Sequence, residues 1–389
     1  MNVSSAKSAL SDTLSVFLPT PVQTLLLRAC LWKDGSGREA SGTWLQQHSR
    51  QSGKQLQEDH LKSLLPLLFA TFQRNGVEAD HEFLTILRAA SLREELRVQT
   101  YRRICREVLS AFAAAGIASI VLKGAALADL VYDHPALRHC HDLDLLLEES
   151  DPAKAIRLLS SLGFSLIERA LPLSEWQDLQ FVHESGLPVE LHRSLFRLPL
   201  YNTIAPEMQA RSHIQHVADV PVRILTPTDQ LLHACGHAAS CASRESLRWA
   251  CDAWLLIERF PNLDWDLLED CARRSHLTLP LSVLLSYSAT ELRAPIPATF
   301  LTRLTARAAQ ASTVECEAAL WGAHASGRGR FKNLLRMTST WRAWIFVLRW
   351  ILFPSPTYVR AMRYVRSSWH LPFYYLSRPL RYVAQRESR

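Results

Sequence analysis

The chain reads as an α+β protein in which a small mixed sheet with flanking helices is embedded in a mostly helical chain. Three observations predict this. Apolar residues recur every three to four positions before residue 116 and again after Pro227, as in amphipathic helices, whereas 117–195 carries short β-branched and alternating runs. The 389 residues exceed the ~250 that one core usually serves, so more than one sub-domain is expected. A composition of 48% hydrophobic and 21% charged residues with only 13 Gly excludes disordered, collagen-like and small disulfide-scaffold classes.

Residues 1–115 read as a helical N-terminal region. The clusters Leu25–Leu27 and Leu64–Phe72 predict short helices, separated by a polar loop at 33–42, KDGSGREASG. From Asp80 to Gly116, the positions Leu84, Leu87, Leu92, Leu96, Tyr101, Ile104, Val108 and Phe112 predict one long amphipathic helix. The period then changes, and 116–225 reads as an α/β core. Ile117–Leu122 is a strand that ends at Lys123-Gly124 and runs into the helix AALADLVY. Asp142–Glu148, DLDLLLE, alternates and then turns continuously apolar, like a buried strand. Asp151-Pro152 start a helix over 152–162 that Gly163 stops. Phe164–Glu168, Gln180–His183 and Val189–His192 are further strands, the last two joined by a turn at ESGLP.

Residues 226–326 return to helical spacing in TDQLLHACGHAAS, LRWACDAWLLIERF, DWDLLEDCARRS and TLPLSVLLSYSATEL, with Thr226 and Asp264 as caps. Residues 327–389 form a basic, aromatic helical segment with 13 Lys and Arg against one acid, Glu387. Its aromatic residues are expected to pack inward on a mildly acidic body, leaving arginines outside for an anionic membrane surface or another acidic partner; nucleic acid is less favoured. No 20-residue apolar span occurs, since WRAWIFVLRWILF at 341–353 is broken by Arg342 and Arg349. Eight cysteines without a C-x-x-C pair fit reduced thiols, and the N-terminus lacks signal-peptide features. A cytoplasmic protein is expected, with a peripheral membrane position open through the tail.

The chemistry-bearing residues lie in the α/β core. Asp142 and Asp144 alternate on one strand, so both carboxylates share a face, and such a repelling pair is best tolerated beside a divalent cation. In VELH, Val189 and Leu191 face the core while Glu190 and His192 share the opposite face. If the two strands are neighbours, three carboxylates converge, as a centre of two Mg²⁺ ions ~4 Å apart requires. Lys123 and Gly124 close a strand and open a helix, a place suited to phosphate. Arg138, four residues before the acidic pair, reads as a phosphate contact or an ordinary surface arginine. Of the nearby histidines His139, His141 and His192, only His192 is taken as a nucleotide contact. His233, Cys235, His237 and Cys241 read as helix packing rather than a zinc site, because no second ligand motif accompanies them.

The segments VLKGAALADLVY, Arg138, DLDLLLE, LSSLGF and VELHRSL resemble the uncharacterised nucleotidyltransferase family of the polymerase-β-like nucleotidyltransferase superfamily. The likeness continues through LLHACGHAA, LRWACDAW, DWDLL, PLSVLLSY and LPFYYLSRPLR, or roughly residues 60–385. It implies a polymerase-β-like core with Asp142, Asp144 and Glu190 as metal-binding and catalytic carboxylates and Lys123 with Gly124 beside the triphosphate, and it tilts Arg138 towards phosphate binding. Better-known superfamily members carry Gly-Ser or Gly-Gly where this chain has Gly124-Ala125. The expected activity is Mg²⁺-dependent transfer of a nucleotidyl group from an NTP to an acceptor hydroxyl or phosphate. The resemblance further suggests a small-molecule or peptide acceptor in a bacterial peptide natural-product or polysaccharide pathway. The alternative is a catalytically degenerate nucleotide-binding module that recruits a partner or an anionic membrane.

Overall fold

A computed structural model describes residues 17–33, 35–48, 59–148, 152–167, 178–241, 247–312 and 368–384, together with a few isolated positions. Before the sheet come α1 (Pro21–Leu31), α2 (Gly35–His48), a one-turn helix at Asp59–Lys62, α3 (Leu65–Asn75) and the long α4 (His81–Ala114). Helix α2 replaces the loop expected at 33–42. Its glycines read as turn signals, but Gly37 serves close packing, since an added Cβ would collide with the Trp32 carbonyl and meet Asn75 Nδ2 at 2.9 Å. Buried Trp44 and Leu45 anchor the same helix.

Seven strands follow: β1 (Ser119–Leu122), β2 (Leu143–Leu147), β3 (Phe164–Leu166), β4 (Asp178–His183), β5 (Pro188–His192), β6 (His213–Val217) and β7 (Val220–Ile224). Between them lie α5 (Lys123–Leu130), α6 (Ala153–Ser161) and α7 (Ala205–Arg211). The strands form one sheet in the order β3-β4-β5-β2-β1-β7-β6. It is mixed: β2 pairs with β5 and β1 with β7 in parallel, and the other neighbours run antiparallel. The fold is therefore α+β, with a larger sheet than the sequence reading anticipated. The hairpin β6–β7 was not foreseen, because its turn is Ala218-Asp219 rather than a glycine pair, although both residues have positive φ (49° and 66°). Asp129 Oδ2 accepts from Ala218 N at 2.8 Å and holds this turn against α5.

Two apolar layers enclose the sheet. On one face Val121, Leu143, Leu145, Leu179, Phe181, Val189 and Leu191 pack with Ile104, Val108 and Phe112 of α4 and with Leu159 of α6. On the other, Ile120, Leu122 and Leu146 join a larger core built from α1–α3 and from α8 (Pro227–Cys241), α9 (Arg248–Arg259), α10 (Trp265–Arg274), α11 (Thr278–Thr290) and α12 (Ala298–Ala308). Asp264 caps α10 by accepting from Leu267 N at 2.8 Å, and Thr226 Oγ1 accepts from Asp229 N at 3.3 Å. The N-terminal and C-terminal helices are tied together: Arg28 pairs with Glu291 at 2.7 Å, and Thr24 with the Tyr287 hydroxyl at 2.7 Å.

Asp151, expected as a helix cap, falls outside the described residues, as does most of 327–389. Within that segment α13 (Leu371–Ala384) is helical, and on it and just before it Trp369, Phe373 and Leu376 are exposed rather than turned inward as expected. No described helix is long and apolar enough to cross a membrane.

Candidate active site

Alternation along β5 fixes the site. Val189 and Leu191 are fully buried, and at roughly 2 kcal/mol each they resist a register slip that would drive Glu190 and His192 into the core. Strand β5 lies beside β2 with Asp144 opposite Glu190 and Leu146 opposite His192. Asp144, Glu190 and His192 therefore gather on the sheet face that looks toward the C-terminal helices. Their donor atoms lie within 4.8 Å of one another, the one metal-capable cluster found among the described residues. They line a cavity of about 250 Å³ closed on its far side by α8 and α9.

Asp144 is almost completely buried, and its Oδ1 accepts from Lys123 Nζ at 2.8 Å and from His192 Nε2 at 2.6 Å. Burial alone would raise the carboxyl; the two cations overcome it and hold Asp144 well below the usual carboxylate range. His192 Nδ1 donates to Asp178 Oδ1 at 2.7 Å, so the ring donates at both ends. Burial and neighbouring Lys123 disfavour its charge, yet these two carboxylates lift it to about 9. Glu190 behaves differently. Burial and the adjacent Asp144 charge raise it, while Gln180 Nε2 donates to its Oε1 at 2.7 Å and His192 Nε2 stands 3.7 Å from its Oε2.

Lys123 opens α5 in a left-handed conformation, φ 47°, which costs a side chain with a Cβ about 1–2 kcal/mol. The reward is geometric: the ammonium reaches Asp144, and the surrounding carboxylates raise its pKa despite burial. Asp142 lines the same cavity just before β2 but is outside the three-residue cluster; His141 Nε2 stands 3.3 Å from its Oδ2. Arg248 donates to the other ring nitrogen of His141 at 3.0 Å and to the His139 carbonyl at 3.2 Å, bracing the loop that carries Asp142. His139 itself turns to Glu94 of α4 at 2.9 Å.

Arg138 is not a surface arginine. It is buried at the cavity wall and clamped by Asp252 of α9 through bonds of 2.9 and 2.7 Å, with Tyr132 donating to the same carboxylate at 2.8 Å. Gly124 makes room for that clamp, since an added Cβ would stand 2.6 Å from both Arg138 Nη1 and Cys140 Sγ. The space that a side chain at Gly124 would take is thus filled by the Arg138 guanidinium and the Cys140 thiol. His233 Nε2 donates to the Leu195 carbonyl at 3.0 Å, and burial pushes the ring down to about 4.

The sequence reading missed Asp178, Asp252, Arg248 and Gln230. Asp178 was within reach of the signal it used: β4 begins two residues earlier than supposed, and D-L-Q-F alternates with Leu179 and Phe181 fully buried. Asp252 shows only as an acid within the buried stretch of α9.

The cluster suits a hard divalent cation, because Asp144 and Glu190 supply oxygen, with Asp142 on the wall of the same cavity, which also carries Lys123, Arg197 and Arg248. The model of a family described as uncharacterised nucleotidyltransferases matches residues 56–292, covering the whole sheet and helices α3–α11. LPFYYLSRPLR, read above as part of the likeness, lies beyond the match. No curated protein matches the chain. With more than half its length matched, the chain belongs to the uncharacterised nucleotidyltransferase family and is a nucleotidyltransferase.

Proposed function

We propose that the cavity between the sheet and helices α8–α9 transfers a nucleotidyl group from an NTP to a hydroxyl or phosphate of a small or peptide acceptor, with Mg²⁺ as the physiological cation. The observation that carries this reading is the pairing of Asp144 with Glu190 across β2 and β5, which sets two carboxylates side by side at a cation-lined cavity. Asp144, Glu190 and Asp142 would hold the metal; when bound, it neutralises the triphosphate and acidifies the acceptor hydroxyl. His192, held charged by Asp178, keeps Asp144 oriented and adds positive charge beside the phosphates. Lys123 neutralises Asp144 and would be free to meet the triphosphate if a cation held that carboxylate. Arg197 and Arg248 are the further phosphate contacts, while Arg138 and Gly124 build the wall. In the reaction the acceptor oxygen bonds to the α-phosphorus, the bond from that phosphorus to the α–β bridging oxygen breaks, pyrophosphate leaves, and the proton of a hydroxyl acceptor passes to solvent.

The test is incubation of the full chain with each α-labelled NTP, Mg²⁺ and a pooled small-molecule and peptide fraction. Label should pass to a non-nucleotide product with one NTP, and Glu190→Gln should reduce the rate by roughly a thousandfold or more. Tight NTP binding without transfer or pyrophosphate release would instead favour a binding-only module. That second reading has one observation in its support, the neutralisation of Asp144 by two built-in cations.

A further inference from the structure

We infer that helix α13 is a membrane-surface anchor, whose exposed apolar stripe enters the headgroup region of an anionic bilayer while basic residues of the surrounding chain meet the lipid phosphates. The anchor is independent of the chemistry in the cavity. Trp369 is 87% exposed, Phe373 73% and Leu376 74%, the three most exposed of the large apolar side chains among the described residues. Spacings of four and three residues put them close to one line along the helix. The other side is taken: Tyr374 and Tyr375 are half-buried, and the Tyr375 ring stands 6.4 Å from that of Phe353. Apolar side chains scattered singly over a surface are ordinary; three in line on one helix mark an interaction site.

The charge of the surrounding chain says what covers the stripe. Residues 327–389 hold 13 Lys and Arg against one acid, Glu387, and α13 itself carries Arg378 and Arg381 with no acid. A second copy of the chain would bring the same positive charge to the contact, and the two would repel. Nucleic acid would suit the arginines, yet aliphatic Leu376 offers it neither stacking nor a hydrogen bond. An anionic bilayer answers both features. Its phosphates attract the basic segment, and an indole, a phenyl and an isobutyl group all gain by entering the interface. Helix α13 has 14 residues, about 21 Å of length, too short for a hydrocarbon core of ~30 Å, so it lies along the surface.

The experiment is co-sedimentation of the full chain with vesicles of phosphatidylcholine, alone or with about one part in three phosphatidylglycerol, at ~50 mM and ~500 mM NaCl. The wild type should bind anionic vesicles at low salt at least ~10-fold more tightly than neutral ones, and high salt should weaken that binding. The triple variant Trp369→Ser, Phe373→Ser, Leu376→Ser should bind anionic vesicles roughly 10-fold more weakly, with an unchanged melting temperature because exposed side chains hold little of the fold. Trp369→Phe is the second variant. It keeps an aromatic anchor and removes one indole, so it should bind like the wild type while brominated lipid quenches its tryptophan fluorescence less. Absence of wild-type binding to anionic vesicles, undiminished binding by the triple variant, or equal quenching in the wild type and Trp369→Phe overturns the anchor. Tighter binding of single-stranded RNA than of vesicles also overturns it and assigns the surface to nucleic acid. A concentration-dependent dimer that the triple variant loses, in place of vesicle binding, overturns it in favour of a second copy.

Discussion

Asp144 takes two cationic donors on one oxygen while nearly buried, so in the metal-free protein its charge is neutralised rather than repelled. The sequence alone suggests the opposite, a carboxylate pair relieved by Asp144→Asn. With the structure in hand, that substitution should cost about 3 kcal/mol in urea unfolding, because it strands buried cations. Glu190→Gln should cost little or raise stability slightly, since burial and Asp144 already oppose the Glu190 charge. Equal losses in the two variants would contradict this assignment of charge. His192 sets a second expectation. Its pKa in the fold is about 9, against ~6.5 unfolded, so its contribution is complete below about pH 6.5 and is lost as pH rises through about 9. In chelator, unfolding free energy should decline over that window, and His192→Gln should flatten the decline. An identical slope in the variant would show that His192 is not held charged.

At the scale of elements, the junction between β1 and α5 joins site and architecture. Gly124→Ala should lower stability by roughly 1–3 kcal/mol, because its Cβ meets a guanidinium that Asp252 prevents from moving aside. A neutral result in thermal melts would mean that the Arg138–Asp252 clamp yields easily. The elements legible in the sequence were those with strong local period. The long α4, the buried β2 and the alternating β5 all occur where their patterns put them, and β5 beside β2 brought Glu190 opposite Asp144. What escaped had a weak local signal or a long-range cause. Hairpin β6–β7 turns without glycine, and α2 is glycine-rich for packing reasons that only Trp32 and Asn75, met in space, explain.

For the whole molecule, the site exists because a sheet face and a separate run of helices close on each other. Asp144 and Glu190 were legible as neighbours because both sit on patterned strands, whereas Asp142, read as part of the same strand, lies just before β2. Arg138 could not be placed, because its partner Asp252 lies 114 residues away on α9, and nothing local announces that Gln230 would face the same cavity. Under the proposed function, Asp144 and Glu190 jointly hold the divalent cation on which transfer depends. Electron paramagnetic resonance titration of the full chain with Mn²⁺, in the presence of an α,β-methylene nucleotide, tests it most directly. The wild type should bind Mn²⁺, and a fully folded Glu190→Gln variant should bind it at least ~10-fold more weakly. Equal Mn²⁺ affinity in the two proteins, or no binding by the wild type, would contradict it.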